Sequence, residues 1–322
     1  MSIQKIIDKI RGKNSSPYFN HKIYGRIYYP IYNKAIQMSC AEPEIFNKNG
    51  QKMRTFFYRD AIMAYGLGQM SDYFCWDRYN FGLPIHFYSH CSMLETMGKP
   101  DKKYGMLIES ESIEPLGYEI FKKYKGIEKD FDMIFTYSYE LLNKLDNAKF
   151  VPFCSAPWNA NMMYPEAYKN KTKNISIASS NKKMCNLHKF RFEVANICKK
   201  ENLADTFGTF DGGKFVPIDE TLRDYRYSIC IENDDAPYFF TEKITSAFVA
   251  QTIPIYLGAS KIDELFNPDG IIKITDKTDI RGVLKQCTKE EYERRLPAIK
   301  DNYERVKQFI NPYNYMYEKY LA

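Results

Sequence analysis

Residues 228–258 read SICIENDDAPYFFTEKITSAFVAQTIPIYLG. The stretch begins with a short apolar run, Ile229-Cys230-Ile231, and ends with another, Ile253-Pro254-Ile255-Tyr256-Leu257. Short runs that are apolar throughout suit strands buried on both faces of a parallel sheet. Between them, Thr241 stands before Glu242 and Lys243 and an apolar segment, the pattern of a helix with Thr241 as N-cap. In open α/β sheets, ligands bind outside the carboxyl ends of the strands, against helix N-termini. Lys243 in a first helical turn runs against the helix macrodipole, and an anion nearby removes that objection. A phosphate held by helix N–H groups and Lys243 would do so, leaving Glu242 to accept from ribose hydroxyls. The same spacing also suits an ordinary N-cap with a solvated Glu-Lys pair.

Outward from this unit, the rest of the chain alternates in the same way. TFFYR (55–59), YFCWD (73–77), IHFYSH (85–90), YGMLIES (104–110), MIFTYS (133–138) and KFVPF (149–153) read as strands, with helices at EPLGYEIFKKY and SYELLNKL. A stretch without period, CSAPWNANMMYPEAYKNKTK, follows and reads as a linker. A second alternation then runs through ISIAS (175–179), the helix KFRFEVANICKKENL (189–203), a loop after TFGTF, YRYSICIEN, TEKITSAFVAQ, IPIYLG and GIIKI (270–274). The tail TKEEYERRLPAIKDNYERVKQFI is helical, opened by Thr288 and Glu291 at capping-box spacing and kinked at Pro297. Alternation of this kind implies parallel sheets covered by helices. The expected architecture is α/β, with two Rossmann-like domains facing a cleft, residues 1–155 and 156–322.

Composition narrows the function classes. The 322 residues carry 46 basic and 40 acidic side chains, a net charge of +6, which suits an anionic small ligand or loose contact with anionic lipid. The basic residues are dispersed among acids and no RNA-binding signature appears, so nucleic acid is not an expected partner. Eight scattered cysteines form neither a C-x-x-C pair nor a zinc-spaced cluster and are expected to be reduced. The 27 Tyr and 22 Phe suit core filling more than sugar sites. There is no membrane-length apolar run and no signal peptide, so a cytoplasmic protein is expected. Ile3, Ile6, Ile7 and Ile10 share a helical face, which either packs on the domain or touches the cytoplasmic face of the inner membrane. Asp130-Phe131-Asp132 has a metal-binding pattern but reads as a solvated turn, and Gly66-Leu67-Gly68 lacks the third glycine of a dinucleotide fingerprint.

The opening motif is also recognisable. YRYSICIEN…YFFTEKITSAFVAQTIPIYLG resembles the donor-binding motif of the alpha-1,3-fucosyltransferases, glycosyltransferase family 10: Phe-x-x-x-Phe-Glu-Asn-Ser, a gap, Tyr-x-Thr-Glu-Lys, a helix, and a Val/Ile-Pro-Val/Ile-x-x-Gly strand. SSNKKMCNLHKFRFEV (179–194) is similar to the family's Ser-Asn segment and phosphate-binding arginine, and IESESIEP (108–115) to its Glu-Ser-Pro-x-x-x-Pro segment. The resemblance covers about residues 104–275. It implies a GT-B fold and an inverting transfer from a GDP-sugar, with L-fucose the first expectation, to a hydroxyl of a lipopolysaccharide- or capsule-type glycan. It implies Glu109 as general base, with Glu111 and Glu114 as rivals. Donor binding falls to Asn181, Arg191, Glu232, Asn233, Tyr238, Thr241, Glu242 and Lys243, with Lys182, Lys183, His188 and Lys189 as alternatives to Arg191. No metal or other cofactor is expected.

Three positions depart from the family pattern. Asp234 replaces the motif serine, Phe239 the tyrosine, and Gln251 a common glycine. All three are expected near the sugar pocket, which leaves open another GDP-sugar, such as a GDP-mannose or GDP-heptose derivative. A non-catalytic glycan- or nucleic-acid-binding protein is the alternative of another class.

Overall fold

The structure, a computed structural model, describes residues 50, 53–60, 71–77, 80, 82–94, 96, 98–153 and 163–322. The N-terminal isoleucine face, Gly66-Leu67-Gly68, Cys40, Cys154 and the first part of the expected linker lie outside these residues.

The chain divides into two units, one formed by residues 1–151 with 316–322 and the other by residues 152–315. The expected boundary lies four residues further on. It also kept the C-terminal end with the second half, whereas the last seven residues belong to the first unit. Their contacts explain this. The Tyr317 ring stacks on Tyr73 at 4.7 Å, and the Tyr320 hydroxyl donates to the Phe150 carbonyl at 3.0 Å. Both are tyrosines in a stretch whose sequence says nothing about a partner so distant in the chain.

In the first unit, β1 (Arg54–Asp60), β2 (Phe74–Asp77), β3 (Ile85–Ser89), β4 (Lys102–Met106), β5 (Met133–Thr136) and β6 (Ala148–Phe150) form a parallel sheet in the order β2-β1-β3-β4-β5-β6. Helices α1 (Pro115–Lys123) and α2 (Tyr139–Lys144) follow β4 and β5. Aromatic residues fill this core: Phe56 on Phe74, Tyr58 on Trp76 and Phe87 on Tyr104, all with centroids 4.8–4.9 Å apart. Each fully buried ring of this kind contributes about 1.5–3 kcal/mol by leaving water.

In the second unit, β7 (Lys173–Ala178), β8 (Asp205–Phe207), β9 (Tyr225–Ile231), β10 (Ile253–Leu257) and β11 (Ile272–Lys273) are parallel in the order β11-β10-β9-β7-β8. The connecting helices are α3 (Asn186–Glu201) after β7 and α4 (Glu242–Val249) after β9. Every residue of β10 is buried, as are all of β9 except Arg226, which is why these strands read as continuous apolar runs. Ile177, Ile229 and Ile255 form the centre of the core, with Val194 and Ala195 of α3 against them. Helices α5 (Ile280–Gln286), α6 (Lys289–Arg294), α7 (Leu296–Val306) and α8 (Pro312–Tyr320) complete the described chain. The expected single kinked tail helix is two helices, broken at Arg295. Thr288 caps α6 by accepting from the Glu291 N–H at 3.2 Å, and Pro297, which has no N–H to give, falls in the first turn of α7.

Numbered from its first strand, the second sheet has the order 2-1-3-4-5 and the first sheet 2-1-3-4-5-6. The chain leaves the first strand towards one side and returns on the other, so the crevice lies beyond the carboxyl ends of the first and third strands. In the second unit those are β7 and β9, the latter the strand that leads into Glu232.

Candidate active site

Beyond the carboxyl end of β9, Glu232 is fully buried and its N–H continues the ladder to the Leu257 carbonyl at 2.8 Å. Its carboxylate organises the start of α4. One oxygen accepts from the Thr241 N–H at 2.9 Å, and the other accepts from the Thr241 hydroxyl at 2.6 Å and lies 3.3 Å from Lys243 Nζ. Thr241 is the N-cap: its Oγ1 accepts from the Lys243 N–H at 3.3 Å and from Lys243 Nζ at 3.0 Å. Lys243 Nζ also lies 3.3 Å from Glu242 Oε1. Glu232 therefore sits beneath the mouth as an anchor for Thr241 and Lys243, because a carboxylate with no exposed surface has no face to offer a ligand. Gly258 permits this approach: a Cβ there would lie 2.5 Å from Cγ of Glu232 and 2.3 Å from the Tyr256 hydroxyl.

Arg191 enters the same mouth from α3. Its guanidinium is buried, Nη1 donates to the Ile231 carbonyl at 2.7 Å, and Nε has no hydrogen-bond partner among the described residues. Of the basic alternatives, Lys182, Lys183 and Lys189 are exposed and His188 is buried. Burial presses the Arg191 guanidinium down from its usual range, with the charges of Glu232 and Glu242 opposing. Burial also pushes the Glu232 carboxyl up, against the pull of Lys243. Glu242 is held below the usual carboxylate range: burial acts upward, and Lys243 and the helix N–H groups prevail. Burial acts downward on Lys243, and the charges of Glu242 and Glu232 together prevail and hold it above the usual lysine range.

The remaining expected donor residues are placed as follows. Asn233 presents its carbonyl to the Cys185 thiol at 3.1 Å, at the start of α3. Asn181 is exposed on the loop between β7 and α3. Tyr238 turns aside, its hydroxyl donating to Glu264 at 2.5 Å. The structure thus brings together Arg191, Glu232, Thr241, Glu242, Lys243 and the Asn233 backbone; Tyr238 is engaged elsewhere and Asn181 stays at the rim. Cys185 was not anticipated, and no spacing signal marks it.

Of the three departures, Asp234 is buried and its carboxylate accepts from the Ala236 N–H at 2.9 Å, fixing the turn, and Phe239 is buried. Gln251 corrects an expectation. It precedes β10, so it lies at the amino end of the sheet, opposite the mouth. Its φ of +54° explains why glycine suits the position. Its side chain instead ties down the residues before β7, accepting from the Tyr168 N–H at 2.9 Å and donating to the Pro165 carbonyl at 3.0 Å.

In the first unit, Glu109 lies past the carboxyl end of β4. The following turn, closed by the Glu114 N–H on the Ser110 carbonyl at 2.8 Å, returns Glu114 towards it. Burial and the charge of Glu109 raise the Glu114 carboxyl. Glu111 is tied to Lys122 at 2.8 Å in an exposed pair. Asp132 is occupied at the start of β5, accepting from Lys102 Nζ at 2.8 Å and the Lys103 N–H at 2.9 Å. No three His, Cys, Asp or Glu side chains among the described residues are grouped to hold a metal ion. The six described cysteines are free thiols, and no described helix is long and apolar enough to cross a membrane.

Comparison with known proteins bears on this geometry. Residues 168–309, which contain the whole second sheet and its mouth, match the family described as "Glycosyltransferase family 10 (fucosyltransferase) C-term". The family match thus covers the second unit, the part that carries the mouth beyond β9. Over 57 residues it is 37% identical to the "Alpha-(1,3)-fucosyltransferase FucT" of Helicobacter pylori, covering 18% of this chain and 12% of that protein. Over 107 residues it is 28% identical to a "Putative fucosyltransferase-like protein" of Arabidopsis thaliana, covering 32% and 21%. The chain thus spans only a small part of the curated relatives it matches. A crystal structure of an alpha1,3-fucosyltransferase with GDP superimposes with a TM-score of 0.51 at 14% identity, over 88% of this chain and 97% of that one. The chain therefore has the GT-B type of fold, with two parallel-sheet units.

Proposed function

We propose that this protein is an inverting glycosyltransferase of family 10 that moves a sugar, L-fucose as the first candidate, from its GDP ester to a glycan hydroxyl. The observation that carries the reading is Arg191. A buried guanidinium with an unfilled N–H, beside Lys243 and the N-terminus of α4, is costly unless an anion meets it. A nucleoside diphosphate supplies two phosphates for Arg191, Lys243 and the N–H groups of α4. Glu242, held ionised and one-third exposed, accepts from the ribose hydroxyls. The superimposed fucosyltransferase is a complex with GDP, which supports the choice of base.

The chemistry needs cations for the leaving group and a base for the acceptor. In the transition state the glycosyl carbon gains oxocarbenium character. Charge grows on the departing diphosphate, where Arg191 and Lys243 absorb it. Glu109 takes the proton of the acceptor hydroxyl. Cationic side chains fill the role a divalent ion would play, so activity survives EDTA. The acceptor is a lipopolysaccharide- or capsule-type glycan, and the basic and aromatic run HKIYGRIYYPIYNK suits peripheral contact with the inner membrane.

Hydrolysis of GDP-fucose and GDP-mannose by the purified protein tests the donor. Turnover of GDP-fucose alone supports the reading. Turnover of GDP-mannose alone moves the protein to another GDP-sugar, a reading that Asp234 in place of the motif serine favours.

A further inference from the structure

Resting on the reading of Glu109 as the base, we infer that His90 is a positioning residue that holds the Glu109 backbone through the lone pair of its Nε2. His90 follows β3 at the carboxyl end of the first sheet. It is fully buried and has a φ of +48°, a left-handed conformation that few non-glycine residues adopt. Such strain persists only where surrounding structure enforces it, and it concentrates at functional sites.

Nε2 lies 3.1 Å from the N–H of Ile108 and 3.1 Å from the N–H of Glu109. Two consecutive backbone donors converge on one ring nitrogen, so that nitrogen bears the lone pair and the imidazole proton sits on Nδ1. On its other side, the Glu109 carbonyl accepts from the Tyr118 hydroxyl at 2.5 Å, with the Tyr137 hydroxyl 3.3 Å away. The two hydroxyls are 2.8 Å apart, and Tyr137 accepts the Glu111 N–H at 3.1 Å. Both peptide groups of Glu109 are therefore gripped, the N–H by His90 and the carbonyl by the tyrosines. Gly117 of α1 makes room for the imidazole: a Cβ there would lie 2.7 Å from Nδ1 and 3.2 Å from Cα of His90. A misplacement of about 1 Å in a reacting group can cost about 100-fold in rate, which is what such a grip prevents.

The test uses the full chain and slow GDP-fucose hydrolysis, where water takes the acceptor's place. His90→Leu removes the acceptor. His90→Gln restores an oxygen that can reach both N–H groups. In His90→Leu the turnover rate should fall by about 10- to 100-fold, with the GDP dissociation constant within about twofold of the parent. In His90→Gln it should recover to within about fivefold of the parent. Gly117→Ala, which pushes on the ring from the helix, should slow turnover in the same way with GDP affinity intact. Glu109→Gln is measured beside them. Normal turnover in Glu109→Gln overturns the assignment of the base itself. A dead Glu109→Gln beside a fully active His90→Leu overturns the role of His90 alone. Equal losses in His90→Leu and His90→Gln mean that the ring acts by packing, and also overturn it. If His90→Leu does not fold, the decision rests on His90→Gln and Gly117→Ala. Full activity in His90→Gln with a loss in Gly117→Ala supports the inference, and the reverse refutes it.

Discussion

Replacing Lys243 by Met separates what the mouth of the second sheet does for the fold from what it does for a ligand. In the parent, Lys243 Nζ lies 3.3 Å from an oxygen of Glu232, which has no exposed surface, and 3.3 Å from Glu242. At an effective dielectric near 20, one such pair is worth about 5 kcal/mol before desolvation. The lysine side chain keeps one-quarter of its surface in water, so screening and the hydration it regains offset part of this. Glu232 keeps its two bonds from Thr241. A net loss of about 3 kcal/mol remains, the lower end of what breaking a buried pair costs. For a unit of this size that is a fall of about 6–12 °C in Tm. The loss should depend on pH. Burial raises the folded value of Glu232, and removing Lys243 raises it further. An acid whose folded value exceeds its unfolded value binds more protons when folded, so its contribution is lost as pH rises through the folded value. Lys243→Met should therefore be less destabilised at pH 5 than at pH 8. In GDP titration it should lose about 10- to 100-fold in affinity, one charge-assisted phosphate contact. The double variant Glu232→Gln with Lys243→Met should regain about 1–2 kcal/mol of stability, because Glu232 is then no longer a buried charge stripped of Lys243, without regaining GDP affinity. Thermal melts and calorimetry read both quantities. An unchanged Tm in Lys243→Met would mean that Lys243 does not neutralise the buried Glu232, and a double variant that binds GDP like the parent would mean that Lys243 does not meet the phosphates.

Three further outcomes follow from the same structure. Glu109→Gln should bind GDP like the parent yet hydrolyse GDP-fucose at least about 100-fold more slowly, read by calorimetry and product release. Lys171→Met should cost about 2–4 kcal/mol in urea melts, because the buried ammonium donates to the carbonyls of Arg223 at 2.9 Å and Ala250 at 2.7 Å. Burial pushes the Lys171 amine down to about 7 from 10.5, so between those values the unfolded chain holds the extra proton. The parent should accordingly gain stability from pH 7 to pH 9, and Lys171→Met should lack that gain. Gln251→Gly should relieve a left-handed residue but lose two side-chain bonds, a net cost of about 1 kcal/mol. GDP affinity should be untouched, since this residue lies at the far end of the sheet.

The strands at 225–231 and 253–257 were legible because both faces are buried, so hydrophobicity runs unbroken along them. The short edge strand β8 was not: Asp205-Thr206-Phe207 has no buried residue and reads as part of a loop. The cap at Thr241 was legible because it is a local device, a hydroxyl bonding an N–H two residues on. The resemblance put Arg191 ahead of its basic neighbours, and its burial against the Ile231 carbonyl separates it from the exposed Lys182, Lys183 and Lys189, which spacing alone does not do. Gln251 shows how proximity in sequence misleads. It stands two residues before a strand that belongs to the motif, but the start of a strand and its end lie at opposite ends of a sheet. Lys171 sits in a stretch that reads as a charged linker, and its cage, the carbonyls of Leu222, Arg223 and Ala250 with the Thr252 hydroxyl, comes from residues 222–252. The grip on Glu109 joins residues 90, 118 and 137, and no local pattern encodes it.

The most direct measurement is calorimetric titration of the intact protein with GDP, UDP and CMP. GDP should bind, with UDP and CMP at least about tenfold weaker, and replacing Arg191 by Met should abolish that binding. Equal affinity for the three nucleotides, or none for any, would contradict the claim that the mouth beyond β9 is a GDP-sugar site.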